Sequence, residues 1–216
     1  MEREYIKAGT PKFSALDRFF PLTSYLAAVK ANRQSCWHFF EDNLDSWPDI
    51  VAIWSRERIY TFRDTYTRAC QYACYFLELG VKPGQLVAFY LQNSPEFIFA
   101  WLGLWAIGCA PAMINFNLAG DALIHCLRVS GAKVLLVNGD EKLQCRIEGE
   151  RKAIEEQLGM DLIVLSEGLK SQISLKLPER PDDSYRAGVK GNFPAALFYT
   201  RWVFARLNRS SSVDSM

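Results

Sequence analysis

Leu86-Val-Ala-Phe-Tyr-Leu91, running at once into Gln92-Asn-Ser94-Pro95-Glu96, is the stretch whose reading decides the fold. Six apolar or aromatic residues without alternation describe a strand covered on both faces, the habit of parallel sheets. Ser94, Pro95 and Glu96 then have the order of a helix start: an N-cap hydroxyl, a ring that needs no N–H donor, and an acid at the positive end. The helix they open runs through Trp101 and Trp105 to Gly108, and Ala110–Ile114 reads as the next strand.

The same grammar extends in both directions. Upstream, Thr61-x-x-Asp64 can cap a helix whose apolar residues Tyr66, Ala69, Ala73, Phe76 and Leu77 fall at spacings of three and four, ending at Gly80. Ile50–Trp54 and Arg58–Thr61 flank Ser55-Arg-Glu57 as a hairpin, and Cys36–Leu44 reads as a short amphipathic helix. Before residue 35 only a helical stretch near Tyr25–Lys30 and an apolar patch at Phe19–Leu22 stand out. Downstream come a helix over Asp121–Ser130, a strand over Lys133–Val137, a helix over Glu148–Leu158 and a strand over Asp161–Leu165. Residues 166–192, rich in Ser, Gly, Pro and charge, read as a loop before a last strand, Ala195–Thr200. Strands alternating with helices at this spacing give an α/β fold with a mostly parallel sheet and flanking helices.

Composition excludes several classes. The chain has 216 residues, half of them hydrophobic, and a net charge of +1 with dispersed Lys and Arg, so no nucleic-acid face is expected. The charged start Met1-Glu-Arg-Glu-Tyr-Ile-Lys7 has no apolar core, which argues against secretion and for an intracellular protein. Phe97–Ala119 carries no charge over a span long enough to cross a bilayer. Gly108, Pro111, Asn115 and Asn117 interrupt it, and a buried helix running into a buried strand accounts for the same residues.

Candidate chemistry is sparse. His125-Cys126 are adjacent on a helix and point apart; Cys70 and Cys74 share a face without further ligands, so no metal site and no catalytic residue is assigned. Gly103-x-x-x-x-Gly108 has Walker spacing, but Cys109-Ala110 replaces Lys-Ser/Thr and the run lies within a helix. Trp101 and Trp105, one turn apart, read as core or interface. The strand ending at Thr200 could deliver a loop of small residues whose N–H groups surround a phosphate. The chain instead continues as Arg201-Trp-Val-Phe-Ala-Arg206, and Arg201–Met216 contains neither glycine nor lysine.

Taken together, Tyr60-Thr-Phe62, Val81-Lys-Pro-Gly84 with its strand, Asn93–Phe97, Asn115-Phe-Asn-Leu118, Leu123–Cys126 and Ser130–Lys133 resemble the N-terminal part of the adenylate-forming (AMP-binding) enzymes. Within that superfamily the likeness is greatest to the fatty-acid transport protein, or very-long-chain acyl-CoA synthetase, branch. The resemblance implies a partial AMP-binding domain over 36–200, an N-terminal extension over 1–35, and an unrelated tail over 201–216. It also implies ligase chemistry in lipid metabolism: a fatty acid and ATP form acyl-AMP with magnesium, and coenzyme A captures the acyl group.

Only Tyr199-Thr200 matches the family's Ser/Thr/Gly-rich phosphate loop, so Thr200 is a remnant and no nucleotide site is complete. This chain alone is therefore expected to be a truncated, inactive fragment with no cofactor of its own. An interrupted reading frame or retained intron accounts for the tail better than a genuine short product does. The competing readings are a lipid- or membrane-docking surface around Phe97–Phe116 and pairing with a full-length relative. The family resemblance leaves the endoplasmic reticulum, peroxisome, lipid droplet and plasma membrane open as membrane locations.

Overall fold

The structure is a computed structural model that describes residues 26–189 and 193–199. The chain divides into two compact units, Met1–Gln34 and Ser35–Met216. In the first, residues 26–30 are helical. The second holds the sheet and the helices packed on it.

It opens with α1 (Cys36–Ser46), whose N-cap Ser35 accepts from the His38 N–H. Strands β1 (Val51–Trp54) and β2 (Ile59–Thr61) pair antiparallel, with a bulge between Val51 and Ile53. Helix α2 (Phe62–Glu78) starts on the expected reciprocal cap: Thr61 accepts from the Asp64 N–H, and Asp64 accepts from the Thr61 N–H. Next in the chain are β3 (Leu86–Tyr90), α3 (Pro95–Ala106) and β4 (Ala110–Met113). They lead to α4 (Gly120–Ser130), β5 (Val134–Asn138), α5 (Glu141–Lys152) and β6 (Asp161–Leu165). A short helix α6 (Glu167–Ser174), a 3-10 turn at Asp183–Arg186 and β7 (Leu197–Phe198) complete the order.

The five main strands pair in parallel, in the order β6-β5-β3-β4-β7. Alternation along β3 and β5 divides the core in two. Val87, Phe89, Val134 and Leu136 pack with α2 and α3, together with Trp37 and Ile173. Ala88, Tyr90, Leu135 and Val137 pack with α4 and α5, through Leu123, Leu127, Leu143 and Ile147. The sheet is thus sealed on both faces, which is why β3 needs no polar residue. Each such Phe or Leu contributes about 1.5–3 kcal/mol by leaving water. Phe97–Ala119 divides into α3, β4 and the turn after it, and no described helix is long and apolar enough to cross a membrane.

Two expectations need correcting. The helix placed at Glu148–Leu158 begins seven residues earlier, because Asp140 accepts from the N–H groups of Lys142 and Leu143 and so caps α5 at Glu141. Its apolar contacts are only Leu143 and Ile147, too sparse a stripe to read. Likewise 166–192 is not simply a loop: Ser166 caps α6 by accepting from the Leu169 N–H, and Ile173 is buried.

Gly103 and Gly108 have packing roles in place of the Walker role their spacing suggests. A Cβ on Gly103 would stand 2.9 Å from the Ala69 carbonyl, the Ala73 nitrogen and the Tyr72 Cβ, so α2 and α3 meet backbone to backbone there. Gly108 has φ +70° and lies against the Tyr185 carbonyl, which occupies the space a Cβ would need.

Candidate functional site

The strands are parallel, but their order of connection reverses at β3: β4 lies on one side of it and β5 on the other. In open α/β sheets the crevice beyond the carboxyl ends at such a reversal is where ligands bind. Three chain segments build that end here: the turn after β4, the capped start of α3, and the end of β7.

The turn Asn115–Ala119 is held from several directions. Asn115 Oδ1 accepts from the Asn117 N–H at 2.9 Å, a side-chain mimic of a backbone turn. The Tyr90 hydroxyl donates to the Leu118 carbonyl at 2.7 Å, and Arg146 Nη1 donates to the Phe116 carbonyl at 2.9 Å. Burial raises the Tyr90 pKa above its ordinary value, with Arg146 pulling the other way. This hydroxyl therefore stays a donor at neutral pH. Asn115-Phe-Asn117, prominent in the sequence, is thus a shaped turn at the strand end.

β7 sits beside that turn. Leu197 pairs with Ala112 and Phe198 with Met113. The indole Nε1–H groups of Trp101 and Trp105 both donate to the Ala195 carbonyl, at 3.1 and 2.8 Å. Their rings meet edge-on at 5.5 Å, and Phe198 meets Trp101 edge-on at 6.4 Å. Tyr199 packs on the opposite face with the α4 cluster, where burial pushes its hydroxyl up to about 12. The core-or-interface reading of the tryptophans left out their polar edge: both are half-buried, and both hold the strand. Thr200 and the residues after it lie outside the described residues.

A second polar assembly escaped the sequence reading. The fully buried Arg186 donates to the carbonyls of Ala106 and Pro181 and pairs with Asp183. Arg180 pairs with Glu41 and, at 2.7 Å, with Asp183, and His38 Nε2 is 3.6 Å from Asp183. Desolvation opposes ionisation of Asp183, but the guanidinium groups of Arg186 and Arg180 outweigh it and hold the carboxyl well below the usual range. A helix carboxyl terminus favours a cation, and Arg186 supplies one to α3. The pairs with Asp183 from Arg180 and Arg186 are three residues apart, but the ties to Glu41 and to the Ala106 carbonyl are long-range and leave no local spacing that a sequence could display.

The other candidates do not converge. His125 is half-buried on α4, while the thiol of its neighbour Cys126 is buried and raised in pKa by desolvation. Cys70 is pushed up to about 12, mainly by burial, and Cys74 Sγ faces the carbonyls of Leu177 and Glu179. Among the described residues no group of three His, Cys, Asp or Glu could hold a metal ion.

Comparison with known proteins adds a lineage. A family model described as AMP-binding enzyme matches residues 40–200. Isopenicillin N epimerase component 1 of Hapsidospora chrysogena is 44% identical over 131 residues, covering 59% of this chain and 22% of that protein. Long-chain fatty acid transport protein 1 of Rattus norvegicus is 38% identical over 143 residues, 66% of this chain and 18% of that protein. A fatty acyl CoA synthetase of Mycobacterium tuberculosis superposes with TM-score 0.68 at 20% identity, over 77% of this chain and 32% of the other. The chain thus spans about a fifth of the length of these curated relatives.

Proposed function

The chain belongs to the AMP-binding enzyme family, and from that premise we propose that it represents the N-terminal portion of a fatty acyl-CoA synthetase, inactive on its own. The complete enzyme would join a fatty acid to ATP as acyl-AMP and pass the acyl group to coenzyme A. The fatty acid is suggested by the transport-protein relative.

The observation that carries inactivity is the contrast at the end of β7. The strand pairs with β4 beside the turn that follows it, yet the chain continues as Arg201-Trp-Val-Phe204. Wrapping backbone N–H groups around a phosphate needs small residues, and charge growing on the leaving pyrophosphate needs a cation beside them. Arg201 and Arg206 supply charge, but Trp202, Val203 and Phe204 are bulky residues where the wrap calls for small ones. These residues do not fit magnesium–ATP, so no catalytic step is assigned to any residue of this chain. Fatty-acid-dependent ATP–pyrophosphate exchange by the purified 216-residue chain tests the proposal; measurable exchange contradicts it.

One observation favours a second role, peripheral attachment to a lipid surface. Phe97, Trp101 and Phe198 form an edge-on aromatic row, and Phe198 is 65% exposed. Aromatic rings of this kind suit a membrane interface. Flotation with liposomes discriminates: full recovery in the soluble fraction removes this role and leaves the first untouched.

A further inference from the structure

We propose that Trp101 and Trp105 are positioning residues for β7: by sharing the Ala195 carbonyl they set the register of that strand on β4, and so fix the place of Tyr199. The role of the segment beyond β7 rests on the enzymatic reading; the seating of β7 does not.

β7 needs outside help. Among the described residues it pairs at two positions on the edge of the sheet, and so short a pairing has little stability of its own. A carbonyl oxygen has two lone pairs, and an indole N–H is a donor with no acceptor function. Two donors from one helix face therefore saturate the Ala195 oxygen from two directions. They arrive aligned, because Trp101 is braced edge-on between Phe97 at 5.9 Å and Trp105 at 5.5 Å. A slip of one residue would draw Phe198 off Trp101 and exchange the faces that Phe198 and Tyr199 occupy.

A second tie reaches the same helix turn. Arg186 donates to the carbonyl of Ala106, next in sequence to Trp105, and the Tyr185 carbonyl abuts Gly108. The chain is thus fixed to the end of α3 at Arg186 and again at Ala195. Phenylalanine at 101 or 105 would fill much of the space of an indole, so packing alone gives no reason for two N–H donors there.

Hydrogen–deuterium exchange on the full chain, read by mass spectrometry, separates positioning from general packing. In Trp105→Phe and in Trp101→Phe, peptides carrying Leu197–Tyr199 should exchange about five- to tenfold faster, the loss of one net hydrogen bond. The double variant should exchange faster still, with β3 and β5 unchanged. The proposal is overturned if both single variants leave β7 unchanged, if β3 and β5 accelerate equally, or if β7 is unprotected in the unaltered chain. Should the variants not fold, the indole N–H signals of Trp101 and Trp105 in the unaltered chain decide: slow exchange supports the shared bond, free exchange of both overturns it. ATP binding plays no part in any of these readouts, so failure here is distinct from failure of the enzymatic reading.

Discussion

Arg180 and Glu41 form a two-point ion pair across 139 residues of sequence, Nε to Oε1 at 2.6 Å and Nη2 to Oε2 at 3.0 Å. Glu41 lies on α1, and Arg180 leads into the turn that places Arg186 under α3. The pair thus joins the first helix of the larger unit to the segment that precedes β7. Glu41→Gln keeps the shape and removes the charge. Because Arg180 is 37% exposed, the cost is about 1–2 kcal/mol, below that of a fully buried pair. A lower urea midpoint at constant slope is the expected result; an unchanged midpoint would mean that the neutral amide holds Arg180 as well as the carboxylate does.

Asp183 gives this region an acid sensitivity. Its carboxyl is held down by Arg186 and Arg180 against the cost of desolvation, with His38 and Glu41 also in the cluster. A depressed folded-state pKa means that the unfolded chain binds the proton first, so stability rises with pH in that window. The contribution is complete above the ordinary aspartate value of about 4 and is lost as pH falls through the lower folded value. Asp64 and Asp182 are shifted in the same direction. Thermal midpoints should therefore fall as pH drops below the ordinary aspartate value of about 4, and Asp183→Asn should flatten part of that slope. An identical slope in the variant would exclude Asp183 as a source.

The features legible in the sequence were those that neighbours in sequence determine. Thr61 with Asp64 and Ser94 with Pro95 marked helix starts that the structure reproduces, and the unbroken run at Leu86 marked a strand covered on both faces. Helix α6 escaped because eight residues with Leu169 and Ile173 carry almost no periodicity. The ties that hold the candidate site escaped for a different reason. Trp105 with Ala195, Tyr90 with Leu118 and Arg186 with Ala106 are long-range bonds between a side chain and a backbone carbonyl. A carbonyl belongs to every residue, so its partner leaves no signature.

Tyr90→Phe tests the turn after β4. It removes the donor to the Leu118 carbonyl while the ring, fully buried in the α4-side core, stays in place. A loss of about 1 kcal/mol is expected, with faster amide exchange confined to residues 115–119. Exchange that stays at the native rate would show that Arg146 and the Asn115 turn suffice.

The six thiols should react in order of access and ionisation. Cys145 is exposed on α5, while Cys70 and Cys109 are buried and pushed up to about 12 and about 11 by desolvation. A disulfide reagent at about pH 8 should label Cys145 first, and Cys145→Ser should delete that fast phase. Cys70 and Cys109 should react only as fast as the protein opens. Rapid labelling of either would contradict the sealed core around α2 and β4.

Gly103 and Gly108 offer a final contrast, because alanine fails differently at each. At Gly103 the new methyl gains about 1 kcal/mol of helix propensity, then meets backbone and Cβ atoms of α2 at 2.9 Å. Two helices can separate by a few tenths of an ångström, and overpacking of that kind costs about 1–3 kcal/mol, so the net loss is modest. At Gly108 there is no propensity to regain. The residue lies at φ +70°, where a side chain costs about 1–2 kcal/mol, and its methyl would overlap the Tyr185 carbonyl. Relief requires moving the turn that carries Arg186, which also withdraws the donor from the Ala106 carbonyl. Gly108→Ala should therefore lower the urea midpoint more than Gly103→Ala and, unlike it, loosen residues 181–189 in hydrogen exchange. Equal losses, or protection of that segment kept in Gly108→Ala, would mean the turn is not held where Tyr185 and Arg186 place it.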